Sequence, residues 1–98
     1  MKILHLTLKK KWFEMILSGE KKEEYRETKK YWYQRLISKR YGTFRHFDIV
    51  IFKNGYSKDA RTMTVECKGI RTDFAKPEWS DNAQGFYYVI SLGKILNQ

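Results

Sequence analysis

The hydrophobic period of the chain changes several times, and each change marks a new element. Ile3, Leu4, Leu6 and Leu8 alternate in part with His5 and Thr7, which predicts a first strand. Trp12, Phe13, Ile16 and Leu17 then fall at helical spacing, with Lys9, Lys10, Lys11, Glu14 and Ser18 at the other positions, so an amphipathic helix follows. Gly19 supplies its stop, because a residue without Cβ enters the left-handed conformation freely. The stretch from Lys21 to Arg26 is too polar for a core strand, yet Tyr25 and the short spacing allow an exposed or cleft-lining one. A second helix is predicted from Lys29 to about Ser38 on the repeat of Tyr31, Trp32, Arg35 and Leu36, with Lys39-Arg40-Tyr41-Gly42 closing it into a loop.

The second half reads as strands. Asp48 to Phe52, Met63 to Ile70 and Phe86 to Leu92 are rich in β-branched and aromatic residues and are separated by loop residues. Asn54-Gly55-Tyr56 marks a turn, and Ala75 to Asn82 is a long polar loop broken by the only proline, Pro77. The order strand, helix, strand, helix and three strands predicts an α+β fold, a small mixed β-barrel with two flanking helices. At 98 residues one core is expected, so residues 1–98 are taken as a single domain.

Composition narrows the picture. A hydrophobic fraction of 42% with 16% aromatics supports a packed core despite 32% charged residues. The net charge is +9, and it is uneven: residues 1–46 carry thirteen basic and five acidic side chains, whereas 47–98 carry seven and six. Such a concentrated positive field favours a polyanion, and nucleic acid is the common one; a solvated basic surface is the bland alternative. Cys67 has no partner for a disulfide and sits in a strand-like run, so it is taken as inert; no metal-ligand spacing is present, and neither a metal nor a cofactor is expected. No long apolar segment opens the chain, so neither a signal peptide nor a membrane span is expected and the expected compartment is the cytoplasm.

The candidate chemistry centres on Gly19-Glu20-Lys21-Lys22-Glu23-Glu24-Tyr25-Arg26, which sets five charged side chains and a tyrosine directly after a helix stop and its Glu20. In extended form Lys22, Glu24 and Arg26 share one face and Lys21, Glu23 and Tyr25 the other, with Lys21 able to swing to either. A carboxylate beside a guanidinium is held ionised and oriented, leaving donors for a phosphate, a carboxylate or a base edge. An edge strand protected from aggregation by its charges accounts for the same pattern. His5 is expected to be a structural histidine and His46 a solvated loop residue. Trp12, Phe13 and Trp32 are assigned to the core, Trp79 to pinning the long loop, and Tyr33, Tyr41, Phe44 and Tyr56 either stack on unpaired bases or pack against the basic helix.

The run Gly19-x-Lys21-x-x-Glu24-x-Arg26 after an amphipathic helix resembles the signature of ASCH domains, a family of the PUA-like superfamily. Trp12 and Ile16, the pair Trp32 and Arg35, Asn54-Gly55-Tyr56, Pro77-Glu78-Trp79 and the stretch Tyr88 to Gly93 extend the likeness over nearly the whole chain. The resemblance implies a PUA-like barrel whose cleft binds RNA or a nucleotide-like ligand through Lys21, Lys22, Glu24, Arg26, Asn54 and Tyr56. The basic residues Lys29, Lys30, Arg35, Lys39, Arg40 and Arg45 are expected to hold a nucleic-acid backbone. One branch of the family hydrolyses the acetyl amide of N4-acetylcytidine with a lysine, a threonine three residues later and a distant glutamate. Lys21 matches the lysine, Glu24 stands in place of the threonine, and Glu78 is the candidate for the distant glutamate. The alternative to a binding module is therefore a small hydrolase of a modified nucleoside or of single-stranded RNA, with Lys21, Glu24 and Glu78 as its catalytic residues.

Overall fold

Alternation along the first strand, β1 (Ile3–Leu8), turns Leu4, Leu6 and Leu8 to one face, where all three are buried. In the computed structural model, which describes residues 1–98, helix α1 (Lys10–Leu17) lays Trp12, Phe13 and Ile16 onto that face. Gly19 ends the turn that follows at φ +85°, a backbone conformation that a side chain resists. There follow β2 (Glu23–Glu27), α2 (Lys30–Leu36), β3 (Ile49–Asn54), β4 (Thr62–Phe74), a 3₁₀ turn at Pro77–Trp79 and β5 (Phe86–Asn97).

The strands form one sheet in the order β1-β3-β4-β5-β2, curled into a half-barrel. β1 and β3 are parallel, so the whole α1-β2-α2 segment serves as the crossover between them; every other pair is antiparallel. Register carries one buried face across the sheet: Leu4 lies opposite Val50 and Leu6 opposite Phe52, and these in turn face Val65 and Met63. Tyr88, Ile90 and Leu92 of β5 complete the core, with Leu36 of α2. Between Thr64 and Gly69 the β4–β5 ladder slips register three times. Extra residues bend a strand and raise its twist, and Gly69 at φ +132° permits the bend, so the sheet curls here and carries β2 round towards β1.

The fold is α+β, with strands longer than the hydrophobic runs suggest. β4 continues through Arg71-Thr72-Asp73-Phe74 and β5 through Gly93 to Asn97, because backbone pairing holds residues most of whose side chains face solvent, with Ile95 packed on the core. The expected barrel is open: β1 and β2 are its edges, and no backbone ladder joins them. α2 is shorter than expected, since Ile37 turns extended and pairs with Phe44. The loop after it is thus a tight hairpin. His5, expected to be a hydrogen-bonded structural residue, is exposed on the outer face of β1 because the leucines take the inner one. No helix is long and apolar enough to cross a membrane.

Phe52 is fully buried at the centre of this core. Phe52→Ala is expected to lower unfolding free energy by about 3–5 kcal/mol, read as a fall in the urea midpoint with little change in slope.

Candidate functional site

The seam between the two edge strands is spanned by side chains. Glu24 and Arg26 lie opposite Ile90 and Tyr88 in the β2–β5 register, so they share the inner face with the core. Lys21 precedes β2 in the turn after α1, where its backbone N–H donates to the Met15 carbonyl at 2.9 Å. Its ammonium reaches Glu24 Oε1 at 3.0 Å and donates to the Trp79 carbonyl at 2.6 Å. The third direction faces the Trp12 ring, whose centroid is 4.3 Å from Nζ. Arg26 Nη1 pairs with Glu24 Oε2 and donates to its neighbour Tyr25's carbonyl at 2.8 Å, while Nη2 donates to the Thr7 carbonyl on β1 at 3.1 Å. That last bond crosses the seam.

This cluster is buried. Lys21 is 2% exposed and Glu24 4%, and the Arg26 side chain 15%. An ammonium so placed survives only when its protons find acceptors, and here a carboxylate, a carbonyl and an aromatic face take them. Burial pulls the Lys21 pKa below the ordinary lysine range; the Glu24 charge and hydrogen bond oppose the fall without cancelling it.

The outer face of β2 holds the cleft's other wall in place. Tyr25 is buried with Ala75 and Val89, and Trp79, Ala83 and Tyr87 pack on them. Its hydroxyl donates to Glu23 Oε1 at 2.8 Å and accepts the Lys76 N–H at 3.2 Å. Arg71 donates to the other Glu23 oxygen at 2.6 Å and to Ser91 Oγ at 2.8 Å. Burial disfavours the Glu23 carboxylate, but the hydrogen bonds from Arg71 and Tyr25 outweigh it and leave the pKa below the ordinary range. These bonds fix the 75–83 loop, and the loop in turn delivers the Trp79 carbonyl to Lys21.

Between this loop, α1 and α2 lies a cleft of about 780 Å³. All three tryptophans, Trp12, Trp32 and Trp79, line it, joined by Tyr31, Tyr56 and Tyr87. The Arg26 guanidinium stands 5.0 Å from the Trp32 ring centroid. Charge in the lining is balanced, with Lys9, Lys21 and Arg26 against Glu24, Glu27 and Asp81. Lys9 and Asp81 approach to 3.7 Å as an exposed pair on the rim.

Of the residues singled out from the sequence, Lys21, Glu24, Arg26 and Tyr56 meet in this cleft. Lys22 is exposed and borders a different hollow, with Ile16, Leu92 and Lys94; Asn54, half-buried at the end of β3, is outside the cleft lining. Glu78 is exposed in the 3₁₀ turn and also outside the lining, although the next residue's carbonyl holds Lys21. Lys29, Lys30 and Arg35 stand beside the cleft walls Tyr31 and Trp32; Lys29 pairs with Glu27 at 3.0 Å and Arg35 stacks 5.5 Å from the Tyr31 centroid. Lys39, Arg40 and Arg45 belong to the hairpin after α2, away from the cleft. Trp12 and Trp32, core residues by their helical spacing, pack against the core and also present ring surface to the cleft. Lys9, Asp81 and Tyr87 escaped notice because nothing local in the sequence marks them. Cys67 is half-buried, and burial raises its thiol pKa, which disfavours the reactive thiolate. No group of three His, Cys, Asp or Glu side chains comes together to hold a metal.

No protein-family model matches the chain, and comparison with curated proteins and with solved structures finds no match.

Glu24→Ala strands the Lys21 ammonium without its anion and is expected to cost about 3–5 kcal/mol of stability in denaturant titration. Tyr25 makes a pH-dependent contribution: burial, with the Glu23 carboxylate adding to it, holds its phenol well above the ordinary value. The unfolded phenol ionises near pH 10 while the folded one stays neutral, so the folded state keeps the extra proton and loses stability as pH rises past about 10. Lys21, whose pKa is lowered, acts with the opposite sign and is common to both proteins in a comparison with Tyr25→Phe. Urea titrations at about pH 9 and about pH 11 are expected to show a smaller alkaline loss in Tyr25→Phe than in the parent, by up to about 1.4 kcal/mol per pH unit.

Proposed function

We propose that this chain is an ASCH-type module of the PUA-like class whose cleft receives an unpaired base of RNA or a free nucleotide. The observation that carries the reading is the meeting of all three tryptophans with the Lys21–Glu24–Arg26 cluster in one cleft. Aromatic faces stack on bases, each stack contributing about 1–3 kcal/mol, and a base presents a polar edge that needs fixed donors and acceptors. Arg26 keeps Nε–H and one Nη2–H beyond the bonds that anchor it, and Glu24 keeps unused lone pairs. The balanced lining suits a ligand group that is itself uncharged. Phosphates on either side of it are served by Lys30 and Arg35 on α2.

Binding is favoured over hydrolysis by the state of Lys21. Its three protons are engaged by Glu24, the Trp79 carbonyl and the Trp12 face, which leaves no lone pair aimed into the cleft. Glu78, the third member of the hydrolytic set, stands outside the lining.

Because every tryptophan borders the cleft, intrinsic fluorescence reports on it directly. Titration with nucleoside monophosphates is expected to quench that emission, and labelled single-stranded RNA is expected to bind with an affinity that falls steeply between about 50 and about 200 mM salt. Tyr56, 89% exposed on the cleft wall, carries little of the fold. Tyr56→Ala is expected to weaken binding by about 1–3 kcal/mol and leave the urea midpoint unchanged. Absence of quenching by nucleoside monophosphates would sink the reading, whatever the affinity for RNA.

A further inference from the structure

We propose that the hairpin Ile37–Phe47, together with Lys2, is a second contact surface for single-stranded RNA, one that binds phosphates and is separate from the cleft. The choice of RNA as partner rests on the reading above; the existence of a separate anion surface does not.

The hairpin is built rather than loose. Ile37 pairs with Phe44, the Ser38 N–H donates to the Thr43 carbonyl at 2.8 Å, Gly42 to Ser38 at 2.8 Å, and Arg45 to the last residue of α2, Leu36, at 2.8 Å. Phe44 anchors it edge-on to the core residue Tyr88, with ring centroids 5.8 Å apart. The tip, Lys39-Arg40-Tyr41, is left exposed, with the Arg40 guanidinium 5.3 Å from the Tyr41 ring centroid. Between the hairpin and the start of β1 lies a groove of about 430 Å³, walled by Lys2, Arg45, His46 and the rings of Tyr41 and Phe44.

Its electrostatics are the reverse of the cleft's. In the cleft three cations meet three carboxylates; here Lys2, Lys39, Arg40 and Arg45 have no carboxylate within ion-pair distance. The neighbouring carboxylate, Asp48, is engaged by the Lys2 backbone N–H at 2.7 Å and by His46 Nε2 at 3.1 Å. Exposed cations without anions release counterions when a phosphate replaces them, and that release is the source of salt-dependent affinity. An exposed ring under a guanidinium adds a platform for an unpaired base. α2 leads from the cleft wall at Tyr31 and Trp32 to the hairpin at Leu36, over a length of about 10 Å, so one strand can touch both places.

The test is the salt dependence of RNA binding in the full chain, read by anisotropy of a labelled single-stranded oligonucleotide. The triple variant Lys39→Ala, Arg40→Ala, Arg45→Ala is expected to reduce the slope of log affinity against log salt by about 2, at about 0.7 per phosphate contact on single strands. Its fluorescence response to a mononucleotide should match the parent's. A control triple variant, Lys58→Ala, Lys68→Ala, Lys94→Ala, removes the same charge from exposed positions elsewhere and is expected to leave the slope unchanged. Equal slopes in the two variants overturn the hairpin surface while the cleft reading stands. Loss of slope in the hairpin variant from a parent that shows no mononucleotide quenching keeps the hairpin and removes the cleft. If the hairpin variant loses only binding to phosphatidylserine-containing vesicles and keeps its RNA slope, the surface is for a membrane and the proposal is wrong.

Discussion

A sheet whose edges meet without pairing must satisfy the junction by other means, and here the bond from Arg26 to the Thr7 carbonyl does so. Glu24 and the Tyr25 carbonyl aim Arg26 at that bond, and Glu24 is in turn held by Lys21, whose remaining protons are taken by Trp79 and Trp12. β1, β2, α1 and the 75–83 loop are therefore tied through a single buried carboxylate. A closed ladder of backbone bonds would have sealed the barrel and left no cleft. Charged side chains seal it at the level of the core and leave the space above them open, which is why the most buried ions of the protein form the floor of its largest hollow.

The same arrangement explains how a chain with a net charge of +9 keeps a nearly neutral cleft. Burying a cation costs free energy unless anions or other acceptors accompany it. At the seam Lys21 and Arg26 share the one carboxylate of Glu24 while carbonyls take further protons, and Glu27 and Asp81 set against Lys9 bring the lining to balance. Many of the cations without an ion-pair partner stand where water solvates them, among them Lys30 and Arg35 on α2 and Lys39, Arg40 and Arg45 of the hairpin. Buried, paired charge and exposed, unpaired charge thereby occupy different parts of the molecule.

Much of this was legible in the sequence where period and burial agree. The stripe of Trp12, Phe13 and Ile16 marked α1, Gly19 marked its end, and the β-branched runs marked the middles of β3, β4 and β5. The strand ends were not legible, because Arg71-Thr72-Asp73 is polar and Ile95 is a single core-packed residue among Lys94, Leu96 and Asn97, so backbone pairing there leaves no clear alternation. Side-chain alternation placed Glu24 and Arg26 together correctly, but polarity alone suggested that they face water, whereas the curl of the sheet brings β1 over them. A consequence is that Arg26 is a structural tie between β2 and β1. The basic residues formed one group in the sequence and two in space, since Ile37 leaves the helix and turns Lys39, Arg40 and Arg45 away from Lys29, Lys30 and Arg35.

The path of β1 sets the places from which the chain ends depart. Lys2 lines the hairpin groove and Leu8 the cleft, so the strand separates the two by its own length, and Met1 stands at the groove end. Asn97, the last residue of β5, pairs with Thr64 in the middle strand of the sheet, across the half-barrel from the seam. An affinity tag, a surface linker or a fused fluorescent protein joined after Gln98 is attached one residue beyond that pair, beside the middle strand. One joined ahead of Met1 emerges beside Arg45, so immobilisation through the C-terminal end is the arrangement that leaves both concave surfaces open to solvent.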